Sequence, residues 1–279
     1  MMKTALCLHG YFSSLKDRTS LGMAGYEHIK KHILDHRSNT HEIDIFFHGW
    51  EPNLTAQICD LYEPISWKSQ EQIDFEKIAK EHSVNRDFLD PHGKLGSWTL
   101  TSETGNGYVG PERILSHFYS VQKSIELCKQ WERENNFKYD CIIKSRFDLG
   151  RVNRDHTGPN QRNLPVQCIN FDPGLDMSNF YQAYWDLFNE GPADMWFYSN
   201  SANMDHFCSL YDKTLTDYLQ RDSNYSKCVM AGWFESKANE FRSNETLKHP
   251  EDRSSELHKY PEHMVSNTIL LYKWFLHDC

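Results

Sequence analysis

The stretch Tyr139-Asp-Cys-Ile-Ile-Lys-Ser-Arg-Phe-Asp-Leu-Gly150 decides how the rest of the chain is read. Cys141-Ile142-Ile143 is a short apolar run with β character, and it passes at once into Lys144, Arg146 and Asp148, charges at alternating positions. In a strand that spacing sets all three on one face. Open α/β sheets bind ligands beyond the carboxyl ends of their strands, so a buried strand that finishes in charges marks a candidate site. A salt-bridged strand end without a ligand has the same spacing, and both readings stay open.

Working outward, the segment from Pro111 to Asn135 reads as a long helix. Pro111 suits the first helical position. Ile114, Phe118, Val121, Ile125 and Cys128 recur at spacings of four and three, a single apolar stripe. Ser116, Tyr119, Ser120 and Lys123 fall on the opposite face, which is either solvated or lines a ligand. At the start of the chain, Thr4 to Leu8 reads as a buried strand turned out by His9-Gly10. Met23 to Leu34 has a helical pattern, and Ile43 to His48 reads as the second strand. A β-α-β start implies a parallel sheet. Leu54 to Leu61 reads as a short helix, Pro64 to Trp67 as a third strand and Gln72 to Glu81 as a polar helix.

The stretch Asn85 to Gly110 is broken by Pro91 and five glycines, the texture of an insertion or a loop that covers a ligand. Beyond Asp148, Arg151 to Asn163 is polar. Val166 to Phe171 reads as a strand, and Asn179 to Leu187 as a short helical or aromatic patch. Ala193 to Ser199 reads as an apolar strand entered through Asp194, and Asn203 to Leu219 as a helix. In the tail a helix is expected around Glu262 to Asn267 and a strand around Thr268 to Trp274. The expected whole is one α/β domain over residues 1–279 with irregular insertions, on a mixed, mostly parallel sheet flanked by helices.

The 279-residue chain has a formal net charge of −9, which argues against nucleic-acid binding, because neutralising a phosphate backbone needs a basic field. A single nucleotide needs only a local basic patch. Met1-Met2-Lys3-Thr4 enters a strand without the pattern of a cleavable leader, and no run has the length of a membrane span. The eight cysteines are scattered without a Cys-x-x-Cys pair, which suits free thiols in a reducing compartment. A cytoplasmic protein is expected. Eight Trp and fourteen Tyr leave room for sugar-stacking surfaces as well as core.

A strand ending in hydrophobic-hydrophobic-x-x-Arg-x-Asp, here Ile142 to Asp148, after a helix with Tyr119-Ser120-x-x-x-Ser124, resembles the GT-A type glycosyltransferases of bacterial, phage and large-virus surface-glycan clusters. Ala5 to Tyr11 is similar to the start of that family, and Ile43 to Trp50 to its second strand. The resemblance implies a GT-A-like (Rossmann-like) fold, with a nucleotide-sugar-binding half over residues 1–150 and an acceptor-binding half over 151–279. It implies transfer of a sugar from a nucleotide diphosphate sugar to a hydroxyl of a glycan acceptor. His9, Gly10, Tyr11, Ser116, Tyr119, Lys123 and Arg146 would bind the donor. Asp148 and Asp194 would be the catalytic acids, and Trp196 would face the acceptor.

Many GT-A enzymes hold Mn²⁺ or Mg²⁺ on an Asp-x-Asp turn, hard oxygen ligands suiting a hard cation. This chain has no Asp-x-Asp, and Arg146-Phe147-Asp148 stands at the matching position. Either Asp148 holds the metal with a residue such as His263, or Arg146 and Lys123 offset the diphosphate charge without one. Two further readings remain: a non-catalytic nucleotide-sugar or sugar binding module of the same fold, and an NAD(P)-dependent sugar-nucleotide enzyme. Gly105-Asn-Gly-Tyr-Val-Gly110 matches the dinucleotide pattern but comes far into the chain, away from a first β-α turn. Leu8-His9-Gly10 resembles a hydrolase oxyanion loop, but no Gly-x-Ser-x-Gly elbow accompanies it. His28, His32 and His36 recur every four residues, the pattern of a solvated helix face or a metal face. Glu251-Asp252 resembles the acidic pair of some inverting transferases.

Overall fold

Strands that are apolar on both sides need cover on both sides, and this requirement organises the molecule. The computed structural model describes residues 2–13, 21–35, 41–83, 111–149, 169, 171–183, 196–218 and 257–259. Strand β1 (Met2–Gly10) is buried from Thr4 to His9. Helix α1 (Leu21–Ile29) runs on into a π-helical turn, Lys30–Leu34, and the chain returns as β2 (His41–Gly49). Then come α2 (Thr55–Tyr62), β3 (Ser66–Ser69), α3 (Phe75–Glu81), the long α4 (Pro111–Glu134) and β4 (Cys141–Arg146). Next are β5 (Tyr181–Ala183), β6 (Trp196–Ser199), α5 (Ser201–Cys208), α6 (Leu210–Lys213) with a π-helical turn Thr214–Tyr218, and β7 (Leu257–Lys259).

The described strands form one sheet in the order β3-β2-β1-β4-β6-β5-β7. The block β3-β2-β1-β4 is parallel, as the β-α-β start requires. From β4 outward, β6, β5 and β7 each run antiparallel to their neighbour. The protein is therefore an α/β protein built on a mixed sheet.

Period-two alternation divides the core. Ala5, Cys7, Phe46, Ile142 and Phe197 point to one side. There they pack with the α4 stripe Ile114, Phe118, Val121, Ile125 and Cys128 and with Met204 and Phe207 of α5. Leu6, Leu8, Ile45, Phe47, Ile143, Trp196 and Tyr198 point to the other side, against Ile29, Ile33, Ile58 and Tyr62. Each such side chain contributes about 1.5–3 kcal/mol on burial. Exposed pairs such as Lys80–Glu76 contribute about 0–1 kcal/mol. The two apolar layers, not surface charge, hold the sheet.

The helix expected from Pro111 is present, but its buried face is wider than the apolar stripe. Ser120, Gln122, Ser124, Lys129 and Glu132 are buried as well. Their polar groups are satisfied locally. Gln122 donates to Asp212 at 2.7 Å, Ser124 to the Val121 carbonyl at 2.9 Å and Lys129 to Ser201 Oγ at 2.8 Å. Glu132 accepts from the Tyr139 amide at 2.8 Å and from Lys138 at 3.0 Å.

Two expectations are corrected. Within Asn179 to Leu187, Tyr181–Ala183 is a strand, because it finds partners in β6 on one side and β7 on the other. In Val166 to Phe171, the described residues Ile169 and Phe171 lie outside any strand. The expected loop Asn85 to Gly110 with its glycine motif, the polar segment Arg151 to Asn163, Glu251-Asp252, and the expected tail helix and strand lie outside the described residues. Among the described residues no helix is long and apolar enough to cross a membrane. Cys7, Cys59, Cys128, Cys141 and Cys208 are free thiols.

Candidate functional site

The chain leaves β1 for β2 and β3 on one side, then returns through α4 to β4 on the other side. In open α/β sheets such a switch point opens a crevice beyond the strand ends, where ligands bind. His9 and Gly10 end β1, and Arg146 ends β4. His9 stands opposite both Arg146 and His48 in register, so the three side chains share one row and one face. That is the face covered by α4. His117 of α4 meets His9 edge-on at 5.0 Å. Ser120, one turn further, accepts the Gly10 amide at 3.0 Å and lies 2.7 Å from His48 Nδ1. Gly10 has φ +98°, a conformation glycine adopts without strain as the chain turns out of the sheet.

Strand alternation holds for Lys144 and Arg146 but not for Asp148. The strand ends at Arg146, and Phe147 to Leu149 form a turn. Asp148 then swings back to take a two-pronged bond from Arg146, Nε to Oδ1 at 2.8 Å and Nη2 to Oδ2 at 2.7 Å. Lys144 is fully buried, its Nζ 5.0 Å from the Phe197 ring centre, and so lies beneath the crevice instead of at its surface. The turn is anchored by Phe147, which packs edge-on against Phe12, Phe47 and Tyr62. Helix α1 presses on the same turn through Gly25, where a Cβ would sit 1.7 Å from the Phe147 carbonyl oxygen.

The expected donor residues on α4 form a wall with the ends of β2 and β3. Tyr11 donates to Gln72 Oε1 at 2.5 Å, and Gln72 donates to Ser116 Oγ at 2.8 Å. Tyr119 stacks on Trp50 and meets His48 edge-on. Lys123 pairs with Glu126 at 2.6 Å, with its Nζ 5.4 Å from the Tyr119 ring centre. The loop after β1 is held by Glu51, which accepts the amides of Phe12 and Ser13 at 2.6 and 2.8 Å and the Ser13 hydroxyl.

The field in this row is basic. Burial holds the His9 imidazole well below its ordinary pKa, and Lys144, His117, Arg146 and His48 push the same way. His48 is pushed down to about 3 by burial and then by Lys68 and Lys123. Both imidazoles are therefore neutral at pH 7. The Nε2 of each is buried and has no hydrogen-bond partner among the described residues.

His9, Gly10, Arg146 and Asp148 thus come together, with Tyr11, Ser116, Tyr119 and Lys123 along the adjoining wall. Trp196 is elsewhere: it is buried on the opposite face and stacked on Tyr198, and that position gives it a packing role instead of an acceptor-facing surface. Asp194 and His263 lie outside the described residues. Both Asp148 oxygens are taken by Arg146, and among the described residues no three His, Cys, Asp or Glu side chains gather as a metal seat. The described residues do not fit Mn²⁺ or Mg²⁺ at Asp148. His28 and His32 stack on each other, and His28 Nε2 accepts the Ile169 amide.

His48, His117 and Glu51 were not singled out from sequence, and Ser120 was placed on the candidate face of the long helix without a role of its own. His48 carried a usable signal, since it ends the second predicted strand as His9 ends the first. Comparison with protein-family models finds none that matches the chain, and comparison with curated proteins finds no match either.

Proposed function

We propose that the protein is a glycosyltransferase of GT-A type that binds a nucleotide diphosphate sugar in the crevice beyond β1 and β4. The observation that carries the reading is a convergence. His9 to Tyr11 and Arg146 to Asp148, far apart in sequence, resemble the family separately, and they end neighbouring strands at the switch point. Arg146, the cation at the end of β4, suits a diphosphate, which needs a positive group where charge develops on the leaving phosphate.

In this reading the bond from the sugar anomeric carbon to the diphosphate breaks, and one from that carbon to an acceptor oxygen forms. The acceptor proton passes to a base, for which Asp194 is proposed. Arg146 gives two of its five N–H donors to Asp148, which fixes the guanidinium plane, and it offsets charge on the departing nucleoside diphosphate. The sugar-binding module is a second reading, favoured by the engagement of Asp148 with Arg146. It predicts binding of the donor without slow hydrolysis of it.

The test is thermal unfolding with UDP-, GDP-, dTDP- and CMP-sugars, each in chelator and in Mn²⁺, since a ligand of the folded state raises its melting temperature. Stabilisation by one nucleotide family in chelator, lost in Asp148→Ala, is expected. No stabilisation by any of them, or full activity of Asp148→Ala, overturns the assignment.

A further inference from the structure

We propose that the loop after β1 is a phosphate-binding nest, made by the Phe12 and Ser13 amides and the Ser13 hydroxyl, whose seat is filled in this structure by the chain's own Glu51 carboxylate. The inference rests on the nucleotide-sugar reading and names where a phosphate of the donor is held.

Two successive backbone amides converge on a single oxygen: Phe12 and Ser13 both donate to Glu51 Oε2, at 2.6 and 2.8 Å. The Ser13 hydroxyl donates to the other oxygen, Oε1. Consecutive amides turned to one point form a concavity that selects anions. This one already holds an anion, the carboxylate. A phosphoryl group carries more charge and offers three oxygens, one for each donor. The loop also stands where a ligand is expected, since it leaves the carboxyl end of β1 at the switch point of the sheet. Phe12 meets Phe147 edge-on at 5.7 Å, which sets the nest beside the turn that carries Asp148 back to Arg146.

The loop has other ties that shape it without Glu51. The Trp50 amide donates to the Gly10 carbonyl at 3.3 Å, Tyr11 bonds Gln72, and Phe12 is buried against Phe147. Ser13 and Glu51 are only partly buried, so the carboxylate can turn out to water while the nest stays formed. A phosphate and the carboxylate compete for the same three donors, because two anions on one seat repel. An internal competitor on a short tether acts at an effective concentration of about millimolar or more. Glu51 therefore weakens the capture of free anions and yields to a phosphate carried by a ligand that the rest of the crevice also grips.

Inorganic pyrophosphate is the probe. The full chain, isotope-labelled and in chelator, is titrated with it and followed by backbone amide NMR, beside Glu51→Ala and Glu51→Ala combined with Ser13→Ala. The Phe12 and Ser13 amide signals are expected to move on saturation. Affinity should be tighter by about tenfold or more in Glu51→Ala, where the internal competitor is gone, and most of that gain should vanish in the combined variant. Glu51→Gln, which keeps a carbonyl acceptor without the charge, should also bind more tightly than the wild type, and it replaces Glu51→Ala if that variant does not fold. Binding no tighter than wild type in the Glu51 variants, Phe12 and Ser13 amides that do not respond, or an affinity that Ser13→Ala leaves unchanged overturns the proposal and makes Glu51 a structural tie only. Pyrophosphate seated in the nest without a response to any nucleotide sugar removes the glycosyltransferase reading and keeps the nest. A nucleotide-sugar response that leaves the Phe12 and Ser13 amides unmoved does the reverse.

Discussion

Gly25 shows how little room there is beside the Arg146–Asp148 pair. A methyl group there gains up to about 1 kcal/mol of helix propensity. It also meets a backbone oxygen at 1.7 Å, and a carbonyl cannot rotate away as a side chain can. Overpacking of this kind costs about 1–3 kcal/mol, so Gly25→Ala is expected to lower the melting temperature and, by shifting the turn, to weaken donor binding. Asp148→Ala separates the two effects. Its pair with Arg146 is 17% and 36% exposed, so stability should change by less than about 1 kcal/mol while the ligand response disappears. A calorimetric melt and a donor titration of both variants check this. At this scale alternating spacing disclosed Arg146, whereas Asp148 reaches it through a turn that strand alternation does not foresee. The sequence did not disclose Gly25, because a glycine within a helical pattern carries no sign of which backbone approaches it.

Helix α4 was legible in its apolar stripe but not in its polar one. Ser120, Lys129 and Glu132 have the composition of a solvated face, yet α5 and the entry to β4 cover the last two and the ends of β1 and β2 cover the first. Burial pushes the Glu132 carboxyl up, but the Tyr139 amide, Ser201, Lys138 and Lys129 outweigh it and hold the group below its ordinary range. A folded pKa that is depressed gives stability fully present above the unfolded carboxylate value of about 4.3 and lost as pH falls through the folded one. Glu132→Gln is therefore expected to lose this acid-sensitive component. It also leaves Lys129 under-compensated in the core, for a loss of about 3–5 kcal/mol. Urea melts of both proteins at pH 7 and in acid measure it. Strand β5 failed to show for the opposite reason. Tyr181-Gln182-Ala183 is too short for any local period, and it is a strand only because β6 and β7 flank it.

For the whole molecule, position in the sheet decides protection. Strands β1 and β4 are paired on both edges and covered on both faces, whereas β3 has one neighbour among the described strands and an exposed Trp67. Amides of Leu6 to Leu8 and Ile142 to Ile143 are expected to exchange slowest in deuterium oxide, and those of β3 much faster. Equal protection across the sheet would contradict the order derived for it. The α/β class could be read from the β-α-β start, since local patterns fix it. The antiparallel half could not, because nothing in Trp196 to Ser199 encodes the direction of its neighbour. The central place of β1 also has a consequence in time. Lys3 and Asp140, which close its outer end against β4, are 137 residues apart. At about 5–20 residues per second of synthesis, β1 leaves the ribosome roughly 7–30 s before its second partner exists. During that interval the future middle of the sheet is an apolar edge, so a nascent chain paused before Cys141 should be a good client for a chaperone and one released beyond Arg146 a poor one.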